Sequence, residues 1–92
     1  MALLSSSEIA LRLNGLPAWR ADTGELVRTF QFDDFRAAMT FVNRVAELAE
    51  AAGHHPDIDI RYNRVRLALV SHDAGGLTAK DFDLGTAVDK LL

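Results

Sequence analysis

A chain of 92 residues has the length of one small domain, which buries only about 60 to 65% of its unfolded surface around a single core. Apolar residues at 49% with charged residues at 25% exclude a disordered tail, and the lack of cysteine excludes a disulfide framework, a thiolate-bound zinc and a cysteine nucleophile. A net charge of -3 gives no basic footprint, so neither nucleic acid nor a membrane surface is an expected direct partner.

The opening Met1-Ala2-Leu3-Leu4 has no basic flank and too short an apolar run for a secretory signal or a membrane span, so a cytoplasmic location is expected. Ser5-Ser6-Ser7-Glu8 has the spacing of a capping box, and Ile9, Leu13 and Leu16 follow on one helical face. The helix ends around Gly15, and Pro17 stops it. Trp19-Arg20-Ala21, the turn Asp22-Thr23-Gly24-Glu25 and the alternating stretch Leu26 to Phe32 predict a β-hairpin.

Asp33-Asp34 supplies the next cap. Phe35, Ala38, Met39, Val42, Val45, Ala46 and Ala49 then recur at helical spacing until Gly53 closes the segment. Beyond Pro56, Ile58, Ile60 and Tyr62 alternate with Asp57, Asp59 and Arg61, and Val65, Leu67 and Leu69 alternate with Arg66, Ala68 and Val70; this predicts two more strands. After Gly75-Gly76, Thr78-Ala79-Lys80-Asp81 forms a second capping box, leading into a helix with Leu84, Ala87, Val88 and Leu91 inward. The order is α-β-β-α-β-β-α in a single domain over residues 1–92. Hairpins pair antiparallel, and the polar alternate positions leave one sheet face uncovered, which predicts an α+β sandwich.

If Asn63-Arg64 is the two-residue loop of the second hairpin, Tyr62 faces Val65, Ile60 faces Leu67, and continuing outward His55 faces His72. Two histidines distant in sequence then line one pocket, since opposed Cβ atoms are about 4.5–5.5 Å apart. Glu50 stands in the last turn of its helix, where a carboxylate meets the negative end of the helix dipole. It lies four residues before His54, and a carboxylate beside an imidazole fixes its tautomer and favours its protonated form.

Taken together, Glu50, His54-His55-Pro56, Tyr62, His72 and Asp81, at the spacing they have here, resemble the signature of the pterin-4a-carbinolamine dehydratase family. The blocks Tyr62-Asn63-Arg64-Val65 and Ser71 to Asp81, together with Trp19 and Phe30-Gln31-Phe32, extend the likeness over nearly the whole chain. The resemblance implies a four-stranded antiparallel sheet with three helices on one face. It also implies a homo-oligomer, and a hydro-lyase that dehydrates a 4a-hydroxytetrahydropterin, recycling the pterin of aromatic amino-acid hydroxylases. Family members often carry an aromatic residue where this chain has Ile58 and an alanine where it has Gly85. The first alters the pocket wall, and the second costs the last helix about 1 kcal/mol.

By the same resemblance, His54 and His72 are the acid and base pair and His55 binds and orients substrate. Glu50 orients or charges His54, Asp81 sits near the pocket at the start of the last helix, and Pro56 and Tyr62 shape the site. The capping position of Asp81 explains it equally well without chemistry. Imidazole, with an ordinary pKa of about 6.5, serves as acid or base near neutrality, so no cofactor is called for. A metal site is disfavoured, because adjacent histidines in an extended chain point to opposite faces and the helical His-x-x-x-His spacing is absent. The rival reading is a non-catalytic dimerisation or protein-binding module, since some members of the family serve as dimerisation cofactors of a transcription factor.

Overall fold

The computed structural model describes residues 2–92. Helix α1 spans Ser6–Leu13, strands β1 and β2 span Arg20–Asp22 and Glu25–Gln31, and helix α2 spans Phe35–Ala52. Strands β3 and β4 span Asp57–Arg61 and Arg64–Leu69, and helix α3 spans Ala79–Asp89. The strands form one antiparallel sheet in the order β1-β2-β4-β3, which is the α+β architecture expected from the alternation of hairpins and helices.

Local chemistry fixes the ends of the elements. The Ser5 hydroxyl accepts from the Glu8 N–H while the Glu8 carboxylate accepts from the Ser5 N–H, closing the first capping box. Asp34 caps α2 by accepting from the Ala37 N–H at 2.8 Å, and Gly53 ends that helix in the left-handed region at φ 61°, where glycine carries no Cβ penalty. In the first hairpin Thr23 and Gly24 both take positive φ, the geometry of a two-residue turn whose twist matches the flanking strands.

One sheet face carries the core. Leu26, Phe30, Val65, Leu67 and Leu69 pack with Phe41, Val42 and Val45 of α2 and Phe82, Leu84 and Val88 of α3. The buried stripe of α2 is Ala38, Phe41, Val42, Val45 and Ala49, whereas Phe35 is half exposed and Ala46 is exposed. The stripe is centred a little to one side of the arc that the periodicity picks out, and Phe41 takes the place given to Phe35. Phe41 is held there by Phe30 and Phe32, whose ring centroids lie 4.7 and 4.9 Å away. Gly85 is buried in α3, and a Cβ added there would stand 3.3 Å from a Leu16 methyl and 3.6 Å from the Trp19 ring. An alanine there would need the Leu16 side chain to give by a few tenths of an ångström.

The second hairpin differs from the expectation. Arg61 pairs with Arg64, Ile60 with Val65, Ile58 with Leu67 and Asp57 with Ala68, so the loop is Tyr62-Asn63 and the pairing is slid by two residues. Asn63 decides this: its side-chain amide donates to the Phe32 carbonyl at 2.8 Å, and its own carbonyl accepts from the Phe32 N–H at 2.9 Å. Tyr62 takes φ 51° to make the turn. A slide of two preserves every side chain's face, so Val65, Leu67 and Leu69 of β4 turn to the core as expected. The direct strand pairing of His55 with His72 is not formed, because β3 begins at Asp57 and β4 ends at Leu69.

Candidate functional site

The three histidines nevertheless meet. A cleft of about 320 Å³ is lined by Gly53, His54, His55, Val70, His72, Asp73 and Lys80. Two irregular segments, the exit from α2 and the loop between β4 and α3, form most of it, and Lys80 in the first turn of α3 completes it. Gly53, as C-cap, turns the chain so that the His54 N–H donates back to the Ala49 carbonyl at 3.1 Å, placing both imidazoles just past the helix end. The facing loop is stapled by its own backbone, with Ser71 and Gly76 forming an antiparallel bridge and the Gly75 N–H donating to the Ser71 carbonyl at 2.9 Å. His72 is carried on this staple.

The two neighbouring histidines have different surroundings. His54 is nearly buried, its side chain 11% exposed, and its Nε2 lies 2.6 Å from Oδ1 of the fully buried Asp81. The other Asp81 oxygen accepts from the Thr78 N–H at 2.9 Å and from the Ser71 hydroxyl at 3.0 Å. His55 lies in solvent, 63% exposed, with Nε2 2.5 Å from a Glu50 carboxylate that is itself 77% exposed. Among the described residues, no hydrogen bond or ion pair joins His72 to another side chain.

Glu50 was expected to act on His54; the structure pairs it with His55 and gives His54 to Asp81. Adjacent residues in an extended segment point to opposite sides, so His54 turns inward toward the α3 N-terminus while His55 turns back over the last turn of α2. Asp81 thus both caps α3 and holds an imidazole. Pro56 follows the site and leads into β3 without lining the cleft. Tyr62, expected to shape the site, lies in the loop at the far end of β3 and is 67% exposed. Lys80 and Asp73 line the cleft without having been singled out. They stand beside His72 and Asp81 in sequence, which is the signal that could have marked them.

Two carboxylate-bound imidazoles and a third imidazole around one small cleft make a site suited to moving protons. Fold and cleft together define a small α+β protein with a histidine-lined cleft. The sequence model described as Pterin 4 alpha carbinolamine dehydratase matches residues 2–91. A protein of Acidobacterium capsulatum with the provisional name pterin-4-alpha-carbinolamine dehydratase is 63% identical over 92 residues, covering 100% of both chains. One of Chloroflexus aurantiacus with the same provisional name is 61% identical, covering 100% of this chain and 99% of its own. The chain belongs to the pterin-4α-carbinolamine dehydratase family.

Among solved structures, one described as transcriptional coactivator/pterin dehydratase from Brucella melitensis superposes with a TM-score of 0.92 at 31% identity, covering 96% of each chain. Another, described as a pterin dehydratase-like protein that is a RuBisCO assembly factor in the alpha-carboxysome, has a TM-score of 0.69 at 25% identity. It covers 80% of this chain and 88% of its own. Among the described residues no helix is long and apolar enough to cross a membrane.

Proposed function

We propose that this protein dehydrates a 4a-hydroxytetrahydropterin to the quinonoid dihydropterin by histidine acid–base catalysis, recycling the pterin used by aromatic amino-acid hydroxylases. The observation that carries the reading is the convergence of His54, His55 and His72 on one cleft in a chain of this family. In the reaction the C4a–O bond breaks, the hydroxyl leaves with one added proton as water, and the N5 proton is lost as the C4a=N5 double bond forms. The net change is loss of one water, so one acid and one base suffice and no electrons leave the substrate. His54 and His72 are the acid and base pair. His55, more exposed, binds and orients the pterin. Family likeness and the small core also favour a homo-oligomer working in the cytoplasm without a cofactor.

The decay of a freshly generated 4a-hydroxytetrahydropterin, followed by its absorbance, tests the reading. The expected result is a rate above the uncatalysed background that is proportional to protein and survives chelation. A rate equal to background would reject the enzyme reading.

A second reading, a protein-binding module without turnover, is favoured by the structural relative described as a RuBisCO assembly factor. The same assay separates the two, because a pure binding module leaves the background rate unchanged.

A further inference from the structure

Behind the histidine cleft lies a pair of buried hydroxyls to which the chemistry above gives no part. Ser71 is 2% exposed and Thr78 is 0% exposed. The Ser71 hydroxyl lies 3.0 Å from Oδ2 of Asp81 and 2.8 Å from the Thr78 hydroxyl. As a carboxylate, Asp81 only accepts, so the single hydroxyl hydrogen of Ser71 goes to Asp81, and Thr78 supplies the hydrogen of the shared contact. The chain is directional, Thr78 to Ser71 to Asp81, and each link in so enclosed a place polarises the next. The Thr78 N–H occupies Oδ2 as well, at 2.9 Å. Oδ1 is then the oxygen left for His54, whose Nε2 stands 2.6 Å away. Nε2 carries the hydrogen, and a neutral His54 keeps its lone pair on Nδ1.

The backbone holds the loop without help from these hydroxyls. The Ser71 N–H donates to the Gly76 carbonyl at 3.0 Å, and the Ala74 and Gly75 N–H groups donate to the Ser71 carbonyl at 3.1 and 2.9 Å. The Ser71 side chain is therefore free to act on the carboxylate. Ser71 also immediately precedes His72, so one residue ties the carboxylate of one imidazole to the segment that carries another.

We propose that Ser71 is a positioning residue for the dehydration: backed by Thr78, it aims the Asp81 carboxylate so that His54 is held as the Nε2–H tautomer, with Nδ1 as the nitrogen that exchanges a proton with the pterin. This rests on the dehydratase reading of the cleft. Outer partners that orient a metal-bound histidine are worth about 10- to 100-fold in activity when removed, and the same scale is expected for a partner that orients an acid–base histidine.

The test is nitrogen NMR of histidine-labelled protein at a pH where the imidazoles are neutral, together with steady-state kinetics. In the wild type, His54 is expected to show a hydrogen-bearing Nε2 and a bare Nδ1. Ser71→Ala is expected to mix the two tautomers and lower kcat about 10- to 100-fold with KM changed less than about twofold. Ser71→Thr, which keeps the hydroxyl, restores both. A hydrogen on Nδ1 in the wild type overturns the proposal whether or not the alanine variant folds, and so does a folded Ser71→Ala with unchanged tautomer and kcat. Wild-type protein without turnover would instead sink the dehydratase reading, leaving the tautomer measurement to decide the role of Ser71.

Discussion

The His54 imidazole and the Asp81 carboxylate meet at 2.6 Å across 27 residues of sequence, one at the exit of α2 and the other in the first turn of α3. Asp81 is fully buried, while the parallel pair of His55 and Glu50 is open to water. Burial separates what these two pairs do. An enclosed carboxylate is held by geometry and cannot be replaced by solvent, whereas an exposed one is screened.

The first expectation concerns stability. Asp81→Ala leaves the His54 ring, the Ser71 hydroxyl and the Thr78 N–H without their common acceptor, and is expected to cost about 3–5 kcal/mol. Glu50→Ala removes an exposed partner and is expected to change stability by less than about 1 kcal/mol. Urea unfolding of the two variants checks this, and equal losses would contradict the distinction drawn from burial.

Division of labour among the histidines gives the second. Folded His54→Ala and His72→Ala are expected to lower kcat by about 10²- to 10⁴-fold, the usual cost of losing a positioned acid or base. His55→Ala is expected mainly to raise KM, as loss of uniform binding does. Rates are compared with the uncatalysed background. Wild-type kcat in both His54→Ala and His72→Ala would send the search for the acid and base elsewhere.

The third follows from the hairpin. Tyr62 sits at φ 51°, a conformation that costs a side-chain-bearing residue about 1–2 kcal/mol and glycine little. Tyr62→Gly is expected to leave kcat unchanged and stability equal or higher by up to about 1 kcal/mol, glycine's extra chain entropy offsetting part of the gain. A large fall in kcat would bring Tyr62 back into the site, through a neighbouring subunit.

Acid titration of α1 supplies the fourth. Hydrogen bonds from Ser5, the backbone N–H first and the hydroxyl pairing second, with a smaller contribution from Arg12, hold the Glu8 carboxyl below its ordinary value of 4.5. The folded value is the lower one, so the capping box stabilises α1 above about pH 4.5 and is lost as pH falls through the folded value. Side-chain NMR titration is expected to give a Glu8 midpoint below 4.5 that Ser5→Ala moves back upward. A wild-type Glu8 midpoint at or above 4.5 would rule out the box as an influence on it.

The sequence by itself determined the elements and the faces they bury. Capping residues, the Thr23-Gly24 turn and apolar periods of two and 3.6 are local signals, read within a few residues, and they led to the α-β-β-α-β-β-α order and the histidine set. Tertiary contacts decided the rest. The β3–β4 register turned on Asn63 bonding to Phe32, a contact across 31 residues that no local pattern carries. The inward-facing residues of α2 shifted toward Phe41 because Phe30 and Phe32 were there to receive it. Glu50, expected on His54, pairs with His55 instead, because proximity in sequence favours Glu50 for either ring, while burial at the start of α3 gives His54 to Asp81. Ser71 shows the same limit: a serine in a loop carries no mark of its role until folding encloses its hydroxyl between Thr78 and Asp81, where every donor must find an acceptor.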